Sequence, residues 1–248
     1  MEHMIFMVCP HDTAKDPDKW FHFALYLSQN FHISTKYYPC IDFVEFHEKM
    51  MDADIIYANP QDSLILVEEF NYIPLVHSSN LYDEIVFIAN SDVKHESIQD
   101  INSQECISCN SMMVTRVGIK CLDEKQVQPS KIHNKNGWLP VVTSVYKGEA
   151  PYGFVYKDFY DGLNNLSKSL VIKLGETDGK KIYHSILINQ KHKDKINGII
   201  EILTQAHLTK NGENILARVN IEKFIATTRG EISQFKSLLA TGSELMEL

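Results

Sequence analysis

No stretch of the 248 residues approaches the roughly 20 consecutive apolar residues needed to span a bilayer, so membrane insertion is not expected. The N-terminus shows no basic region, long apolar core and small-residue cleavage site in succession. No Lys/Arg block is dense enough to release counterions from a phosphate backbone, and 24 Lys plus Arg face 32 Asp plus Glu. A nucleic-acid partner is therefore not expected. A glycine-rich phosphate loop, a helical HExxH pair and a nucleophile elbow are all missing. With no assembled nucleophile, base and oxyanion donors, catalysis has no positive support, and the expectation is a protein that is not an enzyme. His47-Glu48 and His192-Lys193-Asp194 read as surface residues. Repeats, low-complexity tracts and long linkers are absent too.

What is present suits a folded α/β protein. With 44% hydrophobic residues, one large domain or two small lobes can each bury a core. The five cysteines (Cys9, Cys40, Cys106, Cys109, Cys121) leave at least one thiol unpaired, which suits a reducing compartment and, with the N-terminus as written, predicts a cytoplasmic location. Cys106-X-X-Cys109 lacks a fourth ligand, and in a strand-like segment its side chains point to opposite faces. Neither a metal nor a cofactor is expected.

Apolar runs at Met4–Val8, Ile33–Tyr38, Asp54–Ala58, Ile73–Val76, Glu84–Ala89, Cys106–Cys109, Tyr152–Tyr156, Leu170–Leu174 and Ile182–Ile188 read as strands, with a weaker one near Lys131-Ile132. Helical spacing marks Asp18–Asn30, Phe43–Met51, Ser111–Leu122 and Leu139–Lys147, and Pro60 suits the first position of a helix. Three further helical stretches close the chain. Strands alternating with helices imply parallel sheets with crossovers. Polar turns near residues 81 and 176 divide the pattern into two α/β units.

The segment Asp54-Ile55-Ile56-Tyr57-Ala58-Asn59-Pro60, followed by Tyr72-Ile73-Pro74-Leu75-Val76, resembles the substrate-binding proteins of phosphate/phosphonate/phosphite ABC importers. Tyr82–Asp92, Ser97–Ile101 and Val145–Tyr156 resemble further family blocks in the same order, and Asn211–Leu216 with Phe224 is similar to the closing helices. The resemblance implies a two-lobed type-2 periplasmic-binding-protein fold, with hinge crossings near residues 80–84 and 174–178. Lobe 1 would then be residues 1–82 plus 176–248 and lobe 2 residues 83–175, with a small-molecule ligand held in an interlobe cleft.

The same resemblance points to the ligand contacts. The family's serine/threonine turn at a helix N-terminus, where free N–H groups and the dipole favour an anion, corresponds to Asn110-Ser111-Met112-Met113-Val114. Ser111 keeps one hydroxyl, while Met112 has none. Trp138 stands where the family has a histidine, Pro151 where it has an aspartate, and Phe43 where phosphonate binders have tyrosine. Tyr82 keeps an aromatic hydroxyl. Tyr57 and Asn59 end the third strand, and Cys9-Pro10-His11 ends the first, a usual place for ligand contact in open α/β sheets. Candidate ligand-binding residues are thus Cys9, His11, Phe43, Tyr57, Asn59, Tyr82, Ser111, Met112 and Trp138. Met112 and Trp138 are equally consistent with packing beneath their helices. A lining with fewer donors suits a less charged, partly apolar or aromatic ligand better than a simple phosphonate. Three roles fit: a cytoplasmic ligand sensor reporting to a signalling partner, an extracytoplasmic receptor serving an importer, and an enzyme on the same fold, of menaquinone-pathway or thiamine-precursor type.

Overall fold

A computed structural model describes residues 3–10, 16–31, 33–92, 97–110 and 112–246. The strands among them are β1 (His3–Val8), β2 (Ser34–Pro39), β3 (Ile55–Ala58), β4 (Ile73–Ser78), β5 (Ile85–Asn90), β6 (Glu105–Ser108), β7 (Lys131–Asn134), β8 (Tyr152–Tyr156), β9 (Val171–Glu176), β10 (Ser185–Ile188) and β11 (Phe224–Ala226). They form a sheet of order β11-β4-β10-β3-β1-β2 and another of order β7-β6-β8-β5-β9. The chain divides into two compact units, Met1–Tyr82 with Tyr183–Phe235, and Asp83–Ile182 with Lys236–Leu248.

In the first unit, β1 runs parallel to both β2 and β3, whereas β10 is antiparallel to β3 and β4. Helix Pro17–Phe31 places Trp20, Phe23, Ala24 and Leu27 on one buried face, the 3.6-residue pattern expected of an amphipathic helix. Each such side chain removed from water contributes about 1.5–3 kcal/mol. β3 ends in helix Pro60–Glu69, whose entry is fixed by Asn59, its side chain accepting from the Asp62 N–H. The chain then leaves after Tyr82, returns at Tyr183, and inserts β10 between β3 and β4.

The second unit pairs β6 in parallel with β7 and β8, and β5 antiparallel with β8 and β9. Its sheet is buried on both faces. Ile85, Phe87 and Ala89 join one cluster and Val86 and Ile88 the other, as the two-residue period of a strand requires. Gly153 lets helix Trp138–Tyr146 lie close on this sheet, since a Cβ there would sit 2.7 Å from Val145 Cγ2.

Three expectations need correction. The return crossing lies at Ile182–Tyr183 and not near 174–178, because Thr177 and Asp83 are still tied into the second unit, the Thr177 N–H donating to Ile85 O at 2.9 Å and the Asp83 N–H to Ile182 O at 3.0 Å. The last segment also belongs to the second unit, where Ile132 N–H donates to Leu245 O at 2.8 Å. Phe224 opens a strand and does not lie in a closing helix; at three residues, β11 is too short to display an alternating pattern.

Asp54, immediately before β3, is only 4% exposed. Its carboxylate accepts from the Ile5 N–H at 2.7 Å and lies 2.6 Å from Lys191 Nζ and 2.7 Å from His192 Nε2. Its backbone donates to Ile5 O and accepts from Asn189 N. His192 is thus buried, not a surface residue, because it is the partner that lets this carboxylate be buried. Burial alone would raise the Asp54 pKa, but Lys191, the Ile5 N–H and His192 together hold it below the ordinary value.

A carboxyl depressed in the fold stabilises above its unfolded pKa of about 3.9, and that stabilisation is lost as pH falls through the lower folded value. Asp54→Asn is expected to cost about 3 kcal/mol at pH 7 and to flatten the loss of stability below about pH 4. Thermal melts from pH 2 to 7 check this; parallel acid limbs in the two proteins would contradict it.

Candidate functional site

The carboxyl ends of β1 and β3 and the beginning of β10 lie side by side, with Val8 in register with Tyr57 and Ser185 with Ala58. This register collects Cys9, Tyr57, Asn59 and His184 at one end of the first sheet's interior strands. Cys9 Sγ lies 3.6 Å from His184 Nδ1. The Tyr57 ring is 5.4 Å from the His184 ring and 4.6 Å from that of Trp20. The Trp20 indole N–H and the Ser185 hydroxyl are buried with no hydrogen-bond partner among the described residues.

The helix that starts here has unusual electrostatics. Pro60 supplies no N–H, and Asn59 Oδ1 accepts the Asp62 N–H at 3.0 Å. The Asp62 carboxylate, 3% exposed as a residue, receives His47 Nε2 at 3.0 Å. Phe43 joins the group through His47, its ring 5.7 Å away. Burial pushes the Asp62 carboxyl up, with His47, Asn59 and His184 opposing in part. An acid already occupies the positive end of this helix dipole, so a second anion there meets a like charge and few free donors.

Tyr82 falls elsewhere in the unit. It packs with His77 and Tyr183, where the His77 and Tyr183 rings stack at 3.8 Å and Tyr82 meets Tyr183 at 6.2 Å, and Tyr183 in turn meets Phe235. Tyr82, Tyr183 and Phe235 are the last or first residues of this unit at its crossings.

In the second unit, helix Met113–Glu124 begins at Met112, which offers no side-chain cap, and its first turn holds no acid. Thr115 turns inward, its hydroxyl donating to Cys109 O at 2.7 Å and lying 2.9 Å from Ser108 Oγ. The Asn110 N–H donates to Asn134 Oδ1 at 3.0 Å. Trp138 follows Gly137, whose φ of +116° suits glycine. Trp138 is half-buried against both clusters of the unit, its ring 6.2 Å from that of Tyr156; Met112 packs partly buried against one of them.

A family model described as "ABC transporter, phosphonate, periplasmic substrate-binding protein" matches residues 6–231. The chain belongs to this family. The family is one of substrate-binding proteins, and solved structures share this chain's fold. A Prochlorococcus marinus protein in complex with methylphosphonate gives a TM-score of 0.73 at 14% identity, covering 98% of this chain and 98% of that chain. A Xanthomonas citri protein bound to ATP gives 0.73 at 11% identity, over 99% and 98%. A binding-protein component of an ABC phosphonate transporter from Pseudomonas aeruginosa gives 0.67 at 12% identity, over 96% and 85%. No curated protein matches the chain in sequence.

The structure of this phosphonate-family chain therefore brings Cys9, Tyr57, Asn59 and Phe43 into one neighbourhood, and Met112 and Trp138 against a common cluster. His11 and Ser111 lie outside the described residues. His47, read as a surface residue, is exposed but committed to a buried acid. His184 and Asp62 were missed. Asp62 had a signal, an Asn-Pro-X-Asp helix start; His184 had none, because only the insertion of β10 beside β3 brings it there. All five cysteines are thiols, four of them buried, and burial pushes Cys40 up to about 11 and Cys106 higher still. Thiols packed as small apolar groups report nothing about compartment, so the inference from their odd number lapses. No cluster of three or more His, Cys, Asp or Glu among the described residues is placed to hold a metal ion.

Asp62→Asn follows directly from this electrostatics. A carboxyl raised in the fold contributes stability that is present below its unfolded pKa and lost as pH rises through the folded value. The substitution, which keeps an acceptor for Asn59, is expected to raise the melting temperature at pH 7, with no gain below about pH 4. An unchanged or lower melting temperature at pH 7 contradicts the assignment.

Proposed function

We propose that the chain is the extracytoplasmic solute-binding component of an ABC importer, carrying its ligand to a membrane permease and performing no chemistry on it. The family it belongs to supports this over a cytoplasmic sensor, since the family description is periplasmic, and the buried thiols remove the counter-argument. Tyr57, Asn59, Cys9, Phe43 and the newly found His184 are the proposed ligand contacts of the first unit. Met112, Ser111 and Trp138 are those of the second, and His11 and Tyr82 complete the set.

The ligand proposed is a small molecule with a planar or apolar part, not a simple phosphonate. The observation that carries this is the buried Asp62 at the entrance of helix Pro60–Glu69. With Pro60 lacking a donor and Asn59 engaging another, a tetrahedral dianion there would be desolvated without sufficient hydrogen bonds, at a cost of several kcal/mol. Met112 at the other helix entrance adds an apolar group where a hydroxyl would serve an anion.

Calorimetry against methylphosphonate, phosphate, short alkylsulfonates and ATP is the test. Methylphosphonate and phosphate are expected to bind with Kd weaker than about 100 μM; sub-micromolar binding of either would refute the ligand class. For whichever compound binds best, Trp138→Ala should weaken affinity by about 10-fold or more while lowering the melting temperature by only a few degrees. Unchanged affinity with a drop above about 10 °C, the mark of a lost core aromatic, would remove Trp138 from the site.

A further inference from the structure

The second unit contains a cavity of about 240 Å³ beside the C-terminal half of helix Met113–Glu124. Val117 and Leu238 form apolar wall, and Lys120, Lys125 and Lys181 bring three ammonium groups to it. Typical sites for drug-sized ligands hold about 300–1,000 Å³, so this one fits a compact ion and not a nucleotide. Its lining runs along the helix from Val117 to Lys125, about 8–20 Å from Met112 at 1.5 Å per residue.

The cations around it are not all paired. Lys181 Nζ sits 2.8 Å from Glu124 Oε1, whereas neither Lys120 nor Lys125 has a carboxylate within 4.0 Å among the described residues. Glu124 is held below its ordinary pKa by Lys181 foremost, and by Lys120 and Lys125 as well, so one acid serves three cations. Asp178 also lines the cavity, and Glu84 stands behind it, bonded to the lining Thr177 and acting on Cys121, so what sets the site apart is the two lysines without a carboxylate partner and not a net charge. In a chain of net charge −8, two lysines without an ion-pair partner at a concave apolar wall form a local concentration of available positive charge.

We propose that this cavity is a second ligand site, taking a compact dianion such as inorganic phosphate or a short dicarboxylate between Lys120, Lys125 and Lys181. The carbonyls at this end of the helix favour the lysines and not the anion, so the ammonium groups alone set an affinity on the order of 1 mM. Its wall includes Leu238, from the segment that re-enters the second unit after Phe235, so occupancy fastens that segment to the helix.

Cys121 lines the same cavity and is the one cysteine of the five that is not buried, which makes it a local reporter. The full-length reduced protein would be alkylated with iodoacetamide and the Cys121 peptide followed by mass spectrometry, at constant ionic strength set with sodium chloride. Phosphate or succinate at 10 mM should slow Cys121 alkylation about tenfold, as 1 + [L]/Kd requires, while acetate leaves it unchanged. Whichever dianion protects identifies the preferred one. Lys120→Gln with Lys125→Gln should abolish the protection, relative to that variant's own ion-free rate, and the corresponding double arginine variant should retain it. The proposal is overturned if neither dianion protects, if acetate protects equally, or if the glutamine variant, shown by its melt to be folded, is protected as well as the parent.

Discussion

The first unit is organised around a buried negative charge. Asp54 ties together the strand before it in the sheet, the start of its own strand and the segment following β10, through Ile5, Lys191, His192 and Asn189. A buried carboxylate left with one partner fewer would be costly, so these contacts must form together. Strand register has no half-measures, since a slip by one residue would turn every side chain to the opposite face. Fixing the register at Asp54 therefore fixes it at the other end of the same strands, where Cys9, Tyr57, Asn59 and His184 meet. The ligand contacts proposed for this unit thus depend on an ion cluster at the opposite end of β3.

The two helix entrances of the proposed site differ in charge and in capping. At Asn59–Asp62 the helix dipole is capped and answered by an acid of the chain itself. At Met112 it is left without an acid or a side-chain cap, but with a thioether where a hydroxyl would serve an anion. In the proposed reading, the chain keeps the family scaffold while offering fewer groups for an oxyanion at these two entrances. Fold and ligand are separable in this way because the sheets rest on cores such as Phe6, Trp20 and Phe23, or Phe87 and Phe154, while recognition rests on a few residues at strand ends.

Much of this was legible in the residues. Asp54-Ile-Ile-Tyr announces a strand by its apolar run, and Asn59-Pro60 announces the stop and the new helix. The Tyr152–Tyr156 strand was read to the residue. What escaped was what depends on tertiary placement. His192 reads as one more polar residue in a charged stretch, and only its distance from Asp54 reveals it as a buried partner. His184 stands just before the apolar strand β10 with no local mark of function. The return crossing was misplaced because a polar turn at 176–179 looks like a boundary, although Glu84 accepts hydrogen bonds there from Thr177 Oγ1 and the Lys180 N–H and keeps the turn in the second unit. Local polarity marks turns; long-range hydrogen bonds decide which unit a turn belongs to.

The central claim is that a phosphonate-family scaffold here receives a different small molecule. Native mass spectrometry of the protein isolated under non-denaturing conditions, with the released compound identified, addresses it most directly. The account predicts one small molecule per chain, with a planar or apolar portion and no carbon–phosphorus bond. An alkylphosphonate released in stoichiometric amount would contradict it.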